Sequence, residues 1–98
     1  MEHPAPRHSL AEIKRLIREG RVIVTQTALR DAQNLGFYRA GILDTVLALD
    51  ARDFYKSMTA HQDHRLWMDV YRPKTSAGPV YLKLRIEENA VIISFKEL

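Results

Sequence analysis

Residues 80–86 alternate without a break. Val80, Leu82, Leu84 and Ile86 fall on one parity, and Tyr81, Lys83 and Arg85 on the other. Side chains of a strand leave opposite faces with a period of two. The run therefore predicts a strand with one aliphatic face, which needs a core, and one face carrying a tyrosine and two cations. A face meant only for water usually mixes signs. A cationic face with an aromatic hydroxyl among the charges suits the phosphodiester backbone of a nucleic acid.

The second half of the chain keeps this period. Residues 54–59, 65–72, 79–87 and 90–96 read as strands. His61 to His64 form a hairpin loop, 73–78 a longer one, and Glu88-Asn89 a tight turn in which Asn accepts positive φ. The first half has the helical period instead. Ser9 and Glu12 have capping-box spacing, Leu10, Ile13, Leu16 and Ile17 form an apolar stripe, and Gly20 stops the helix. Val22 to Val24 predict a very short strand. Thr25 or Thr27 caps a second helix that ends at Gly36, and a third helix covers about 40–49. Helices followed by a strand meander predict an α+β domain of two layers, with the helices on one face of a mainly antiparallel sheet.

With 98 residues, 46% apolar and 28% charged, the chain has room for one core and reads as a single domain over 1–98. Residues 1–8, with two prolines and two histidines, predict a loose arm. There are no cysteines, which excludes disulfides and thiolate metal sites. No apolar run approaches the ~18 residues of a membrane span. The opening residues lack the apolar stretch of a signal peptide, so a cytoplasmic protein is expected. Net charge is only +3, and placement of the cations matters more than their total.

Function should sit on the sheet face that the helices leave uncovered. Val91, Ile93 and Phe95 are expected to point to the core, which puts Ser94 and Lys96 on the face of Tyr81 and Lys83. Lys56 and Met58 share one face of their strand, with Tyr55 and Ser57 on the other. Met68, Val70 and Arg72 oppose Trp67, Asp69 and Tyr71. The simplest register gathers Lys56, Arg72, Tyr81, Lys83, Arg85 and Lys96 around one surface. Trp67, Tyr55 and Tyr71 read as core or sheet packing. His61 and His64 lack a third ligand nearby, so they read as solvated histidines and no metal site is expected.

Four runs carry a resemblance. Asp53-Phe54-Tyr55-Lys56-Ser57-Met58, Asp69-Val70-Tyr71-Arg72-Pro73, Val80-Tyr81-Leu82-Lys83-Leu84 and Ser94-Phe95-Lys96-Glu97 stand in the order and spacing of the MqsR family. The chain resembles these motility quorum-sensing regulator toxins of bacterial toxin–antitoxin pairs along nearly its whole length. The resemblance implies a RelE-like fold and a ribosome-independent endoribonuclease that cuts mRNA at GCU-like sites. It implies no cofactor. It also implies a zinc-binding, MqsA-like antitoxin, with DNA contacted only indirectly through that partner. The family's catalytic lysines match Lys56 and Lys96, and its tyrosine matches Tyr81. Met68 stands where the family has a glutamine. A thioether donates no hydrogen bond and accepts only weakly.

RNA carries its own nucleophile, the 2′-hydroxyl. A base removes its proton, the oxygen attacks the adjacent phosphorus in line, and an acid protonates the departing 5′-oxygen. Cations can stabilise the charge that develops on the phosphoryl oxygens. Crowded cations favour neutral lysine and ionised tyrosine, which points to Lys56 or Tyr81 as base and to Lys96 and Arg72 on the phosphate. Lys83, Arg85, Met68, Tyr55 and Met58 complete the expected RNA-binding surface. The competing reading is a module that binds RNA or antitoxin without cutting. A DNA-contacting regulator is less favoured, because the cations are on strands rather than on a recognition helix.

Overall fold

The computed structural model describes residues 1–98. Three helices, α1 (Leu10–Arg18), α2 (Gln26–Asn34) and α3 (Arg39–Leu47), precede most of the strands. The strands are β1 (Glu2–His3), β2 (Val22–Val24), β3 (Phe54–Thr59), β4 (Trp67–Tyr71), β5 (Lys74–Thr75), β6 (Gly78–Glu87) and β7 (Asn89–Glu97). The sheet order is β1-β3-β4-β6-β7-β2, with β5 paired to β6. All pairings are antiparallel except β2 with β7. This is the two-layer α+β arrangement expected. Both outer strands of the main sheet, however, come from the N-terminal half. No helix is long and apolar enough to cross a membrane.

Local chemistry sets the helix ends. The Ser9 hydroxyl accepts from the Glu12 N–H and the Thr25 hydroxyl from the Ala28 N–H, each satisfying an orphan donor of a first turn. Glu12 turns its carboxylate to Arg15 rather than back to Ser9, so only half of a capping box forms. Gly36, with φ +86°, takes the left-handed conformation after α2.

The core lies between helices and sheet. Ile13, Leu16 and Ile17 of α1, Ala28 and Ala32 of α2, and Ile42 and Val46 of α3 meet Tyr71, Val80, Leu82, Leu84, Ala90, Ile92 and Phe95. The expected core set on β7 is corrected here. Lys83 pairs with Ser94 but Leu84 pairs with Ile92, so Ile93 is an extra residue in a bulge. The bulge shifts the parity: Phe95 stays inward, while Ala90 and Ile92 replace Val91 and Ile93 against the helices. At the β6–β7 turn the positive φ falls on Glu88 (φ 60°) rather than on Asn89, because Glu87 and Asn89 pair and leave Glu88 alone at the tip.

Residues 1–8 are not a loose arm. Glu2 and His3 pair with Met58 and Ser57 as an edge strand. The Ser57 hydroxyl donates to the Ala5 carbonyl at 2.9 Å. Asp69, fully buried, accepts the backbone N–H of Arg7 at 3.0 and 3.1 Å and that of His8 at 2.9 Å. A carboxylate in the middle of a buried strand is satisfied only by such donors, and the N-terminal segment supplies them. The segment is thus a strap clipped to β4.

Asp69→Ala strands these donors in a buried place. It should cost about 2–4 kcal/mol in urea unfolding and speed proteolysis within residues 1–8. Unchanged stability with an equally protected N-terminus would contradict the clip.

Candidate functional site: the uncovered sheet face

Strand register sorts the outer face into three rows. Lys56, Val70, Lys83 and Ser94 are successive partners across β3, β4, β6 and β7. Below them Met58 pairs with Met68, and Arg85 with Val91. Above them Tyr81 pairs with Lys96, and Arg72 follows the end of β4. The face therefore gathers Lys56, Arg72, Tyr81, Lys83, Arg85 and Lys96, as the alternation predicts. Lys96 Nζ lies 5.3 Å and Lys83 Nζ 6.0 Å from the Tyr81 ring centre, so the two amines bracket the phenol.

Tyr55 departs from expectation. The β3–β4 pairing slips between Phe54 and Lys56, leaving Tyr55 in a bulge. It is 45% exposed rather than packed into the sheet, and its ring carries the Arg72 guanidinium at 3.8 Å and Lys56 Nζ at 5.3 Å. This adds an exposed aromatic surface beside the cations. Tyr71 is in the core, with its phenol pushed up to about 12 by burial. Trp67 meets the N-terminal strap, with Arg7 stacked 4.0 Å from its ring centre.

The floor of the face is apolar. Val70 is fully buried and Met68 only 6% exposed, so Met68 lies under the face and offers no hydrogen-bonding group to a ligand. The Tyr81 hydroxyl reaches the Met58 thioether at 3.7 Å, a weak partner that leaves it free for a better one.

One carboxylate enters the site, and no pattern of residues announces it. Glu2, on the strap, is ion-paired to Lys56. That hydrogen bond raises the Lys56 amine above its ordinary value, with burial opposing, and lowers the Glu2 carboxyl. Burial raises the Tyr81 phenol, and the opposing pull of the Lys56 charge does not overcome it. Burial and then the Lys96 charge lower the Lys83 amine. The expected bias toward neutral Lys56 and ionised Tyr81 is thus reversed. At Lys56 the carboxylate outweighs desolvation, and at Tyr81 desolvation outweighs the pull of the Lys56 charge. Lys83 is the amine moved toward its neutral form. No three His, Asp or Glu side chains are grouped so as to hold a metal ion.

Known proteins match this chain along its length. The profile of the family described as motility quorum-sensing regulator, toxin of MqsA, matches residues 5–97. The mRNA interferase toxin MqsR of Escherichia coli (strain K12) is 42% identical over 97 residues, covering 99% of each chain. The chain belongs to the motility quorum-sensing regulator family.

Glu2→Gln removes the charge that holds the Lys56 proton. The Lys56 titration, followed by NMR of labelled lysine side chains, should move to lower pH, toward 10.5. Glu2→Asp should move it less. A Lys56 titration that ignores both variants would refute the pairing.

Proposed function

We propose that this chain is the toxin of a bacterial toxin–antitoxin pair, an endoribonuclease that cuts mRNA and arrests growth. It works without the ribosome and without a metal, at short GCU-like sites, in the cytoplasm. Its partner is an MqsA-like, zinc-binding antitoxin, and it reaches DNA only through that partner. The observation that carries the reading is the convergence of Lys56, Tyr81, Lys83 and Lys96 on one uncovered face, in a chain 42% identical to an mRNA interferase.

The chemistry needs a base, an acid and positive charge. Lys83 is the base: desolvation and the neighbouring Lys96 charge favour its neutral amine, which takes the proton of the 2′-hydroxyl. Lys56 is the acid, because Glu2 keeps it protonated and it can give that proton to the departing 5′-oxygen. The neutral Tyr81 hydroxyl donates to a phosphoryl oxygen in place of its thioether contact, and Lys96 and Arg72 neutralise the charge that builds on phosphorus. The P–O bond to the new 2′-oxygen forms as the bond to the 5′-oxygen breaks, giving a 2′,3′-cyclic phosphate and a 5′-hydroxyl. Tyr55, Met58 and Arg85 contribute binding around this centre, and Met68 supports it from beneath.

Purified chain in excess EDTA should cut a long mRNA at one short motif, mapped by primer extension. Lys83→Arg keeps the charge but cannot lose a proton, and should cost at least ~10²-fold in rate. Lys56→Ala and Tyr81→Phe should each lose activity. The rate should climb with pH toward a Lys83 value below 10.5 and fall once Lys56, held above 10.5, loses its proton. Full activity of Lys83→Arg would remove the base from its role.

The buried Met68 and the Met58 floor favour one second reading, a face that binds RNA without cutting it. Salt-sensitive RNA binding with no product, and cleavage gained on Met68→Gln, would establish that reading instead.

A further inference from the structure

The outer face does not end with β4. Asp69, Val70 and Tyr71 pair with Leu84, Lys83 and Leu82, and beyond a break Lys74 and Thr75 pair with Pro79 and Gly78. The count across the break is unchanged, so Arg72 stands opposite Tyr81 and Pro73 opposite Val80. The Val80 N–H still donates to the Pro73 carbonyl, at 3.1 Å. Pro73 interrupts the ladder because it has no N–H to return. Burial alternates through the same stretch: Tyr71, Pro73 and Val80 are buried, while Arg72, Lys74 and Pro79 are exposed. Lys74 therefore leaves the sheet on the side of Arg72, Tyr81 and Lys83, roughly 7 Å beyond Arg72.

A groove of about 800 Å³ opens beside this extension, between β5 and α3. Arg72, Lys74 and Ser76 line one side, and Asp44, Thr45 and Ala48 the other. Arg72 belongs both to the groove and to the catalytic face, where its guanidinium lies on the Tyr55 ring. Stacking uses the flat of the guanidinium and leaves its N–H groups for an anion. Neither Arg72 nor Lys74 takes part in an ion pair, whereas Arg52 at the rim is paired with Asp50. Asp53 is engaged as well, accepting the Asp50 N–H at 2.8 Å. Asp44 is left as the free carboxylate, on the α3 wall. The hairpin that carries Lys74 is fixed at its tip: the Thr75 hydroxyl donates to the Gly78 carbonyl at 2.7 Å and accepts from the Ala77 N–H at 3.1 Å.

We propose that Lys74 and this groove form a subsite for a nucleotide flanking the one that is cut, with its phosphate on Lys74 and Arg72 and its base in the groove against α3. Two observations favour single-stranded RNA as the occupant. Unpaired cations follow one another on one face, from the reaction centre through Arg72 to Lys74, at a spacing that successive phosphates of an extended strand can match. The lining of the groove is mostly polar, which suits a sugar and a base edge better than an apolar ligand. Asp44 sets the orientation: a carboxylate repels phosphate and accepts from a base amino group, so the base and not the backbone turns toward α3. The proposal rests on the ribonuclease reading for the identity of the strand, and it adds Lys74 and Asp44 to the residues that hold it.

The full chain is titrated with an uncleavable 2′-O-methyl RNA of ten nucleotides that carries one 4-thiouridine, placed at each position in turn. From one position the photoproduct should map to residues 44–48 or 74–76. Lys74→Ala should weaken binding about fivefold and lower the salt slope by about 1, and Lys74→Arg should restore most of the loss. On cleavable RNA Lys74→Ala should raise KM about fivefold and leave kcat within about twofold. Arg30→Ala, which removes the same charge from an exposed site on α2 outside the groove, should change neither. Wild-type affinity in Lys74→Ala overturns the proposal. So does an equal loss in Arg30→Ala, which reduces the effect to net charge, or bound RNA that never cross-links to the groove. If the wild-type chain cuts no RNA while the Lys74 dependence and the cross-links persist, the subsite stands and the ribonuclease reading falls. Cleavage with an unchanged KM in Lys74→Ala leaves that reading in place and removes the subsite.

Discussion

The strict two-face alternation of β6 is the constraint on which the other elements depend. Val80, Leu82 and Leu84 are at most 1% exposed on the helix side, so β6 cannot slip by one residue without driving them into water and its charges into the core. Each misplaced aliphatic side chain would lose about 1.5–3 kcal/mol of burial. That penalty fixes the register with β4 on one side and β7 on the other. Fixing both places Val70 next to Lys83 and Lys96 next to Tyr81. The cationic face is thus a by-product of the core's demand for a single register. Its geometry is as rigid as the packing beneath it.

Electrostatics on that face are decided by burial and by one carboxylate, not by the number of cations. A row of lysines and arginines in water would share their repulsion and titrate near ordinary values. Here the sheet removes water from Tyr81 and Lys83, and each moves toward its neutral form. The same desolvation acts on Lys56, but a hydrogen-bonded carboxylate at contact distance outweighs it. The face therefore holds one amine biased to lose its proton and one biased to keep it. Separation of this sort is what a single proton-transfer cycle requires of its base and acid.

Period and capping made most of the architecture legible. The positions of β2, β3, β4, β6 and β7, the three helices and the shared face of Lys56, Tyr81, Lys83 and Lys96 follow from alternation and from Ser9, Thr25 and Gly36, whereas β5 falls in the expected loop at 73–78. Two bulges were not legible, because an extra residue in a strand leaves no mark in composition. One, at Ile93, exchanged core residues on β7. The other, at Tyr55, turned an expected packing aromatic into an exposed one. The strap had a weak signal. Asp69 interrupts the apolar run Trp67-Met68-Asp69-Val70-Tyr71, and a charge at the centre of a buried strand demands donors from somewhere. The sequence does not say that the donors are the amides of Arg7 and His8, since contacts more than 60 residues apart are decided by the folded geometry.

The strap couples two otherwise separate parts of the surface. Within residues 1–8, Glu2 reaches Lys56 at one point and Arg7 covers Trp67 at another, while Asp69 and Ser57 fasten the segment between them. An edge strand of two residues would fray if it relied on its ladder alone. The two backbone N–H groups that donate to the buried Asp69 carboxylate supply the missing hold, and they do so at the strap's inner end, leaving Glu2 exposed at the outer one. Lys56 can then exchange its carboxylate partner for a phosphate without unfastening the segment. The charge state of Lys56 and the Arg7–Trp67 stack thus share one mechanical anchor, which makes Asp69 a structural residue with consequences at both.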